Sequence, residues 1–400
     1  MLSEAQLALI QGTVPALREH GVALTTYFYK RMLDRNPELK EVFNLGHQAS
    51  GGQAKALANA VLAYAENINQ LEKLGDSVGL IVSKHVSLNI QPDQYDIVGS
   101  NLLHSISEVL DVPMDSELIQ AWGIAYQQLA DILIGAEKAN YAAQLEQTGG
   151  WNGWREFEVV RKVDESSVIS SFYLKPKDGG QIPKYESGQF VSIRVLMPEL
   201  GHKQPRQYTL SSHYTANEYR ISVKREAKTE FSVSNVLHET VKVGDTVELS
   251  NPNGNFVLKN KEKTNVFINA GVGLTPMVSM LGELAEQGST QPVSFIHACQ
   301  NDQVLAMRSL LEDLQPKLPQ LKTYLACEQS EDSALHVDRV GRLDLSELDE
   351  SLLPKDADYY LCGPLGFMKA QYESLNNLGI EKSQIHMELF STGGLAELEA

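Results

Sequence analysis

Four short segments of this chain carry side chains whose types and spacing could do chemistry. His85, preceded by Lys84, offers an imidazole able to ligate a metal or carry a proton. Arg206-Gln207-Tyr208-Thr209 sets a fixed cation beside hydroxyls and an aromatic ring. That set suits a pyrophosphate and the face of an isoalloxazine ring. In Gly271-Val272-Gly273-Leu274-Thr275-Pro276 two glycines precede a helical stretch, Met277 to Glu286, so backbone amides can approach a pyrophosphate at a helix N-terminus. The third glycine of the usual dinucleotide fingerprint is missing, and Pro276 stands at a plausible first helical position instead. Cys362-Gly363-Pro364 follows an apolar strand pattern, at the carboxyl edge where open α/β sheets bind ligands.

These residues need elements to hold them, and the periodicity supplies three regions. Residues 3 to about 146 read as helix almost throughout. Ser3 and Gln6 form a capping-box pattern ahead of one apolar face through Leu7, Ile10, Val14 and Leu17. A helix over Gln53 to Ile68 carries Leu57, Val61, Tyr64 and Ile68, and another starts at Pro92 with Tyr95, Val98, Leu102, Ile106 and Leu110 inward. A last long helix shows Leu118, Trp122, Ala125, Leu129 and Leu133. His85 falls near the end of a short helix between the second and third of these. The segment 148–154, with three glycines, breaks the pattern and marks a boundary. Short strands at 156–160, 189–195, 219–223 and 246–249 then predict a small antiparallel barrel. From about Lys263 apolar strands at 266–268, 293–296, 323–325 and 359–361 alternate with helices, which predicts a doubly wound parallel sheet. The expected domains are 1–147, 151–260 and 261–400.

Composition narrows the partners. With 34 basic and 51 acidic side chains the net charge is −17, which repels phosphate backbones and anionic lipid, so no nucleic-acid partner is expected. Cys299, Cys327 and Cys362 are three and widely separated, offering neither a disulfide framework nor a CxxC metal site, as in a reducing compartment. Met1 to Gln6 lack the basic start of a signal peptide, and no apolar run is long enough to cross a bilayer. A cytoplasmic monomer without a transmembrane segment is expected.

The ordered trio Arg-x-Tyr-Thr, Gly-x-Gly-x-x-Pro and Cys-Gly-Pro resembles the ferredoxin-reductase family. The resemblance implies that the barrel binds one FAD, through Phe190, Arg206, Gln207, Tyr208, Thr209, Ser234, Leu389, Phe390, Ser391 and Thr392. It implies that the sheet binds NADH or NADPH through 271–276 and 362–364. Thr209 stands where the family commonly has Ser, Ser391-Thr392 where it has a Gly-Pro pair, and Glu230-Phe231 where it has glycines. Beyond the second strand of the sheet, at His297 to Asp302, no Arg or Lys stands ready for a 2′-phosphate, which favours NADH, although Arg308 follows closely.

Across essentially the whole chain the pattern resembles a flavohaemoglobin, through Tyr27-Phe28-Tyr29, Asn36-Pro37-Glu38-Leu39, Phe43, 53–57, Lys84-His85, Gln94-Tyr95 and the reductase trio. That resemblance implies an all-α globin domain holding one haem b, with His85 as iron ligand and Tyr95 and Glu137 behind it. On the other haem face it implies Tyr29, Phe43, Gln53 and Leu57, and at the haem and flavin interface Lys84 and Glu388. The implied activity is nitric oxide dioxygenation: NAD(P)H gives hydride to FAD, single electrons reach haem, and O2 and NO become nitrate. From the residues alone, other readings stay open: His85, Tyr95 and Glu137 as ordinary helix residues, an oxygen-binding or sensing globin with an attached reductase, or a flavin-dependent ferric or quinone reductase.

Overall fold

The structure, a computed structural model, describes residues 2–49, 51–70, 73, 75–226, 232–330 and 336–390. The first part is helical: α1 (Glu4–Gly12), α2 (Val14–Arg35), a 3-10 turn (Pro37–Glu41), α3 (Leu45–Ala49), α4 (Gly52–Glu66), α5 (Gly75–Ser87), α6 (Pro92–Leu110) and α7 (Glu117–Glu146). The capping box at Ser3 and Gln6 forms as the sequence predicts. The helix breaks at Thr13, which donates its hydroxyl to the Ile10 carbonyl at 2.6 Å before Pro15 starts a new first turn, yet Leu7, Ile10, Val14 and Leu17 all face one core as expected. Pro92 opens α6 as predicted, helped by a second capping box between Gln91 and Gln94. One core joins Ile10, Leu17, Leu24, Phe28, Met32, Leu102, Ile106 and Trp122 from α1, α2, α6 and α7. A smaller one gathers Val82, Val86, Tyr95, Ala130 and Leu133 under α5.

After α7, residues 147–154 lead into the second part. Its strands are β1 (Arg155–Asp164), β2 (Ile169–Pro176), β3 (Phe190–Met197), β4 (His202–Thr209), β5 (Tyr219–Lys224) and β6 (Thr246–Leu249), with α8 (Val233–Glu239) between the last two. They form an antiparallel sheet in the order β4-β3-β6-β1-β2-β5. A bridge between Leu210 and Ile221 joins the end of β4 to β5 and curls the sheet into the expected barrel. Phe157, Phe172, Leu174, Tyr219 and Ile221 fill it.

The third part has β7 (Asn265–Ala270), α9 (Leu274–Glu286), β8 (Val293–Cys299), α10 (Arg308–Leu314), β9 (Leu321–Cys327), β10 (Arg339–Val340), β11 (Asp358–Cys362), α11 (Leu365–Asn377) and β12 (Ile385–Glu388). These strands pair in parallel in the order β10-β9-β8-β7-β11-β12. The chain moves outward from β7 to β10 and then returns to the other side of β7 with β11. The strand order therefore reverses between β7 and β11, where a doubly wound sheet opens a crevice at its carboxyl edge. Both sheet faces are covered, by α9 on one and α11 on the other. No helix among the described residues is long and apolar enough to cross a membrane.

Candidate active site

In the helical part, His85 sits in the last turn of α5, and its Nδ1 is within 2.8 Å of Glu137 Oε1 and 2.9 Å of the Tyr95 hydroxyl. Tyr95 itself donates to the same carboxylate oxygen at 2.5 Å. Residues far apart in sequence thus meet because α6 and α7 both pack under α5. Glu137, which the sequence alone leaves as an ordinary acid near a helix end, is 2% exposed. A buried carboxylate needs such partners. The Tyr95 phenol is held protonated by burial first and by the hydrogen bond to Glu137 second. With Nδ1 engaged, Nε2 is the ring nitrogen left for a ligand.

A second polar group lies between α2 and α4. Tyr29 is buried, and burial pushes its phenol far up, while a hydrogen bond with Gln53 opposes the shift. Gln48 Nε2 donates to Gln53 Oε1 at 2.9 Å. The Phe43 ring meets Tyr29 edge-on at 5.7 Å, and Leu57 is half-buried against the same core. The polar residue on the apolar stripe of α4 therefore has the partner it requires.

On the barrel, β4 carries Arg206 to Thr209. Arg206 donates to the Pro205 carbonyl at 2.7 Å, and burial lowers its pKa. Lys84 of α5 stands near enough that burial and then repulsion from Arg206 lower its own pKa. Gln207 Nε2 donates to Ser192 Oγ at 3.0 Å, Tyr208 is half-buried with its phenol pushed up by burial, and Thr209 pairs with Phe190 across the sheet. Gly254 packs so closely that a Cβ there would lie 2.9 Å from the Phe190 ring. The Ser234 hydroxyl is buried against Ser232 at 2.9 Å. Leu389 packs on the sheet core, and Phe390 is exposed. Ser391, Thr392, Glu230 and Phe231 lie outside the described residues.

At the sheet's switch point the two remaining motifs touch. Gly271 has φ +54°, in the left-handed region, and a 3-10 turn over Gly271–Gly273 leads into α9. A Cβ on Gly273 would come within 2.4 Å of the Cys362 carbonyl oxygen, so only glycine allows the two loops this approach. Leu274, Thr275 and Pro276 are buried in the first turn of α9, and Val272 is half-buried. Glu388, Cys362, Asn269 and His297 form one in-register row across β12, β11, β7 and β8. Burial raises the Glu388 carboxyl to about 7 and carries the Cys362 thiol well above its usual range, with Glu388 adding to the second shift. His297 is pushed down to about 4 by burial, and its Nδ1 lies 2.5 Å from Asn269 Oδ1. Lys84 and Glu388 are not joined by any interaction among the described residues; the neighbour of Lys84 is Arg206 and that of Glu388 is Cys362.

Comparison with known proteins agrees with this division. The chain matches the globin family model over residues 26–133, the oxidoreductase FAD-binding domain over 156–258 and the oxidoreductase NAD-binding domain over 267–373. A flavohemoprotein of Bordetella pertussis is 48% identical over 99% of this chain and 100% of its own. The chain belongs to the flavohemoprotein family. Another member, from Pseudomonas putida, is 46% identical with both chains covered in full. The flavohemoglobin of Malassezia yamatoensis, crystallised with bound FAD and heme, superposes with a TM-score of 0.88 at 29% identity, over 98% of this chain and 100% of that one. The flavohem-like FAD/NAD-binding domain of a nitric oxide dioxygenase from Vibrio cholerae is 37% identical over 59% of this chain and 98% of its own, with a TM-score of 0.55. Family membership makes the chain an oxidoreductase with an α-helical globin domain ahead of a ferredoxin-reductase-like module.

Sequence reasoning missed the residues that join the parts: Ser87, Gln144, Ser192, Gln204 and Asn253, whose side chains bond across the junction. Their only signal was polarity at positions that proved buried.

Proposed function

We propose that this protein is a nitric oxide dioxygenase, turning NO and O2 into nitrate with electrons from NADH or NADPH. The carrying observation is the cluster of His85, Tyr95 and Glu137 in one chain with a flavin and nicotinamide module. Among the described residues no group of three or more His, Cys, Asp and Glu could hold a metal. His85 standing alone suits an iron whose other ligands come from a porphyrin. When bound, haem, FAD and the nicotinamide supply oxygen activation, one-electron delivery and hydride, since a hydride carries two electrons and haem iron accepts one.

The chain's residues do the rest. His85 offers Nε2 to iron while Glu137 accepts at Nδ1, which fixes the tautomer and makes the ring a stronger electron donor. Such donation favours activating oxygen over storing it. The Tyr29 hydroxyl, kept neutral by burial, is a donor for a ligand that gains negative charge, with Gln53 orienting it and Phe43 and Leu57 as apolar wall. Arg206, Tyr208, Thr209 and Phe190 would hold FAD, and the amides at 271–276 with the loop at 362–364 would hold the nicotinamide dinucleotide. Lys84, beside Arg206, and Glu388, beside Cys362, are the groups that would tune the two redox centres.

Each nitrate formed removes one electron, so one NADH should be used per two NO. Aerobic NO consumption, nitrate and NADH are to be followed together on the purified protein. NO loss no faster than with free ferrous haem, or NADH oxidation without nitrate, would leave an oxygen-binding globin with its own reductase.

A further inference from the structure

Besides the Gln144–Asn253 pair, the helical part and the barrel meet through buried amides and hydroxyls on β4, the candidate flavin strand, and on its neighbour β3. Gln204, two residues before Arg206, is 0% exposed. Its Nε2 donates to the Lys40 carbonyl at 2.6 Å, and its Oε1 accepts from the Leu45 amide at 3.1 Å. One carboxamide therefore grips both ends of the segment 40–45, which carries Phe43 and through it touches Tyr29. Three residues further along β4, Gln207 donates to Ser192 Oγ at 3.0 Å, and Ser192 donates to Ser87 Oγ at 2.8 Å. Ser87 in turn donates to the Lys84 carbonyl at 2.8 Å. Ser87 ends α5, two residues past His85, and both serines are 0% exposed.

We propose that Gln204 and the Ser192–Ser87 pair are positioning residues for electron passage from flavin to haem. Gln204 hangs the loop of Phe43 from β4, the strand that carries the candidate flavin motif, and Ser192 hangs the helix of His85 from the neighbouring β3, to which Gln207 of β4 donates. Buried hydroxyls and amides left unpaired are costly, so these bonds allow the two parts one register and oppose sliding. Electron passage between fixed centres falls steeply with separation, so that register sets its rate. The NADH hydride supplies the electron pair, the flavin releases it one electron at a time, and ferric iron becomes ferrous. None of the three residues needs to touch a cofactor. The inference rests on the function proposed above.

The test uses the full-length holoprotein and four variants: Gln204→Leu, Ser192→Ala, Ser87→Ala and Ser192→Thr, the last keeping the hydroxyl. Hydrogen exchange is read at the Leu45 amide and along α5, and anaerobic stopped flow separates flavin reduction by NADH from haem reduction. Gln204→Leu should speed exchange at Leu45 about tenfold, as expected for one lost hydrogen bond. Flavin reduction and the Michaelis constant for NADH should stay at wild-type values. Haem reduction should slow about tenfold in Gln204→Leu and in Ser192→Ala, and return to the wild-type rate in Ser192→Thr. If the barrel variants fail to load FAD, Ser87→Ala cuts the same link from the helical side and should show the slowed haem step alone. Haem reduction at the wild-type rate in the variants that load both cofactors overturns the inference while leaving the proposed function intact. Wild-type protein whose haem is not reduced by NADH at all overturns both.

Discussion

The His85, Tyr95 and Glu137 cluster converts a common surface pair, histidine and glutamate, into a unit in which Glu137 is closed off from bulk solvent. Glu137→Gln keeps the shape and removes the charge. It should lower the iron–histidine stretching frequency in resonance Raman spectra and reduce the nitrate rate by roughly tenfold to a hundredfold, as for other partners behind metal-bound histidines. On the proposed function, Tyr29→Phe would remove a charge-assisted bond of roughly 1.5–3 kcal/mol, so oxygen release by stopped flow should speed roughly tenfold to a hundredfold. Glu388 permits a prediction about pH. Its folded carboxyl is raised to about 7 by burial, above the ordinary 4.5, so the folded state holds a proton that the unfolded chain has released. That contribution to stability is full below 4.5 and is lost as pH rises through about 7. Glu388→Gln should flatten the fall of denaturation midpoint across that window, and an unchanged slope would assign it to other groups. At this scale the sequence showed the residue types, and the resemblance ranked them. It could not show that Glu137 is buried, since one acid in α7 has the same local pattern as its exposed neighbours.

Elements were legible where one physical rule dominated. Pro92 opened α6, the apolar runs 266–268 and 293–296 became β7 and β8, and alternation at 156–160 became β1. Strand β2 escaped because Ser170 and Ser171 are buried within it, satisfied by Asp164 and Ser222, so it shows no apolar–polar alternation. Strand β12 is four residues long and gains its order by pairing with β11, which no local pattern announces. The missing third glycine of the fingerprint also has a physical answer. Close approach is needed at Gly273, against the Cys362 carbonyl, and Pro276, expected at the first helical position, is the third residue of α9, still within the first turn where an absent N–H costs nothing. Gly273→Val should therefore raise the Michaelis constant for NADH about tenfold or more while haem and FAD contents stay at wild-type values. An unchanged constant would move the nicotinamide site elsewhere.

For the molecule as a whole, the order of helical, barrel and sheet regions was readable from periodicity alone, whereas the way they dock was not. Gln204 and Ser192 look like ordinary strand residues until the partner surface is present. Residues 1–147, cut before the glycine pair, should bind haem with an absorption spectrum close to the intact protein, yet show no reduction by NADH. Rapid reduction of that fragment would argue against a flavin path. The connector itself has a further consequence. Only residues 147–154 separate α7 from β1, and within them Gly149 has φ +79° while a Cβ on Gly150 would strike the Gln144 carbonyl oxygen. So short a tether keeps each reductase with its own globin at an effective concentration of about millimolar or above, whatever the protein's abundance. Haem reduction should then be first order and insensitive to dilution, so that even a few copies per cell would work at full speed.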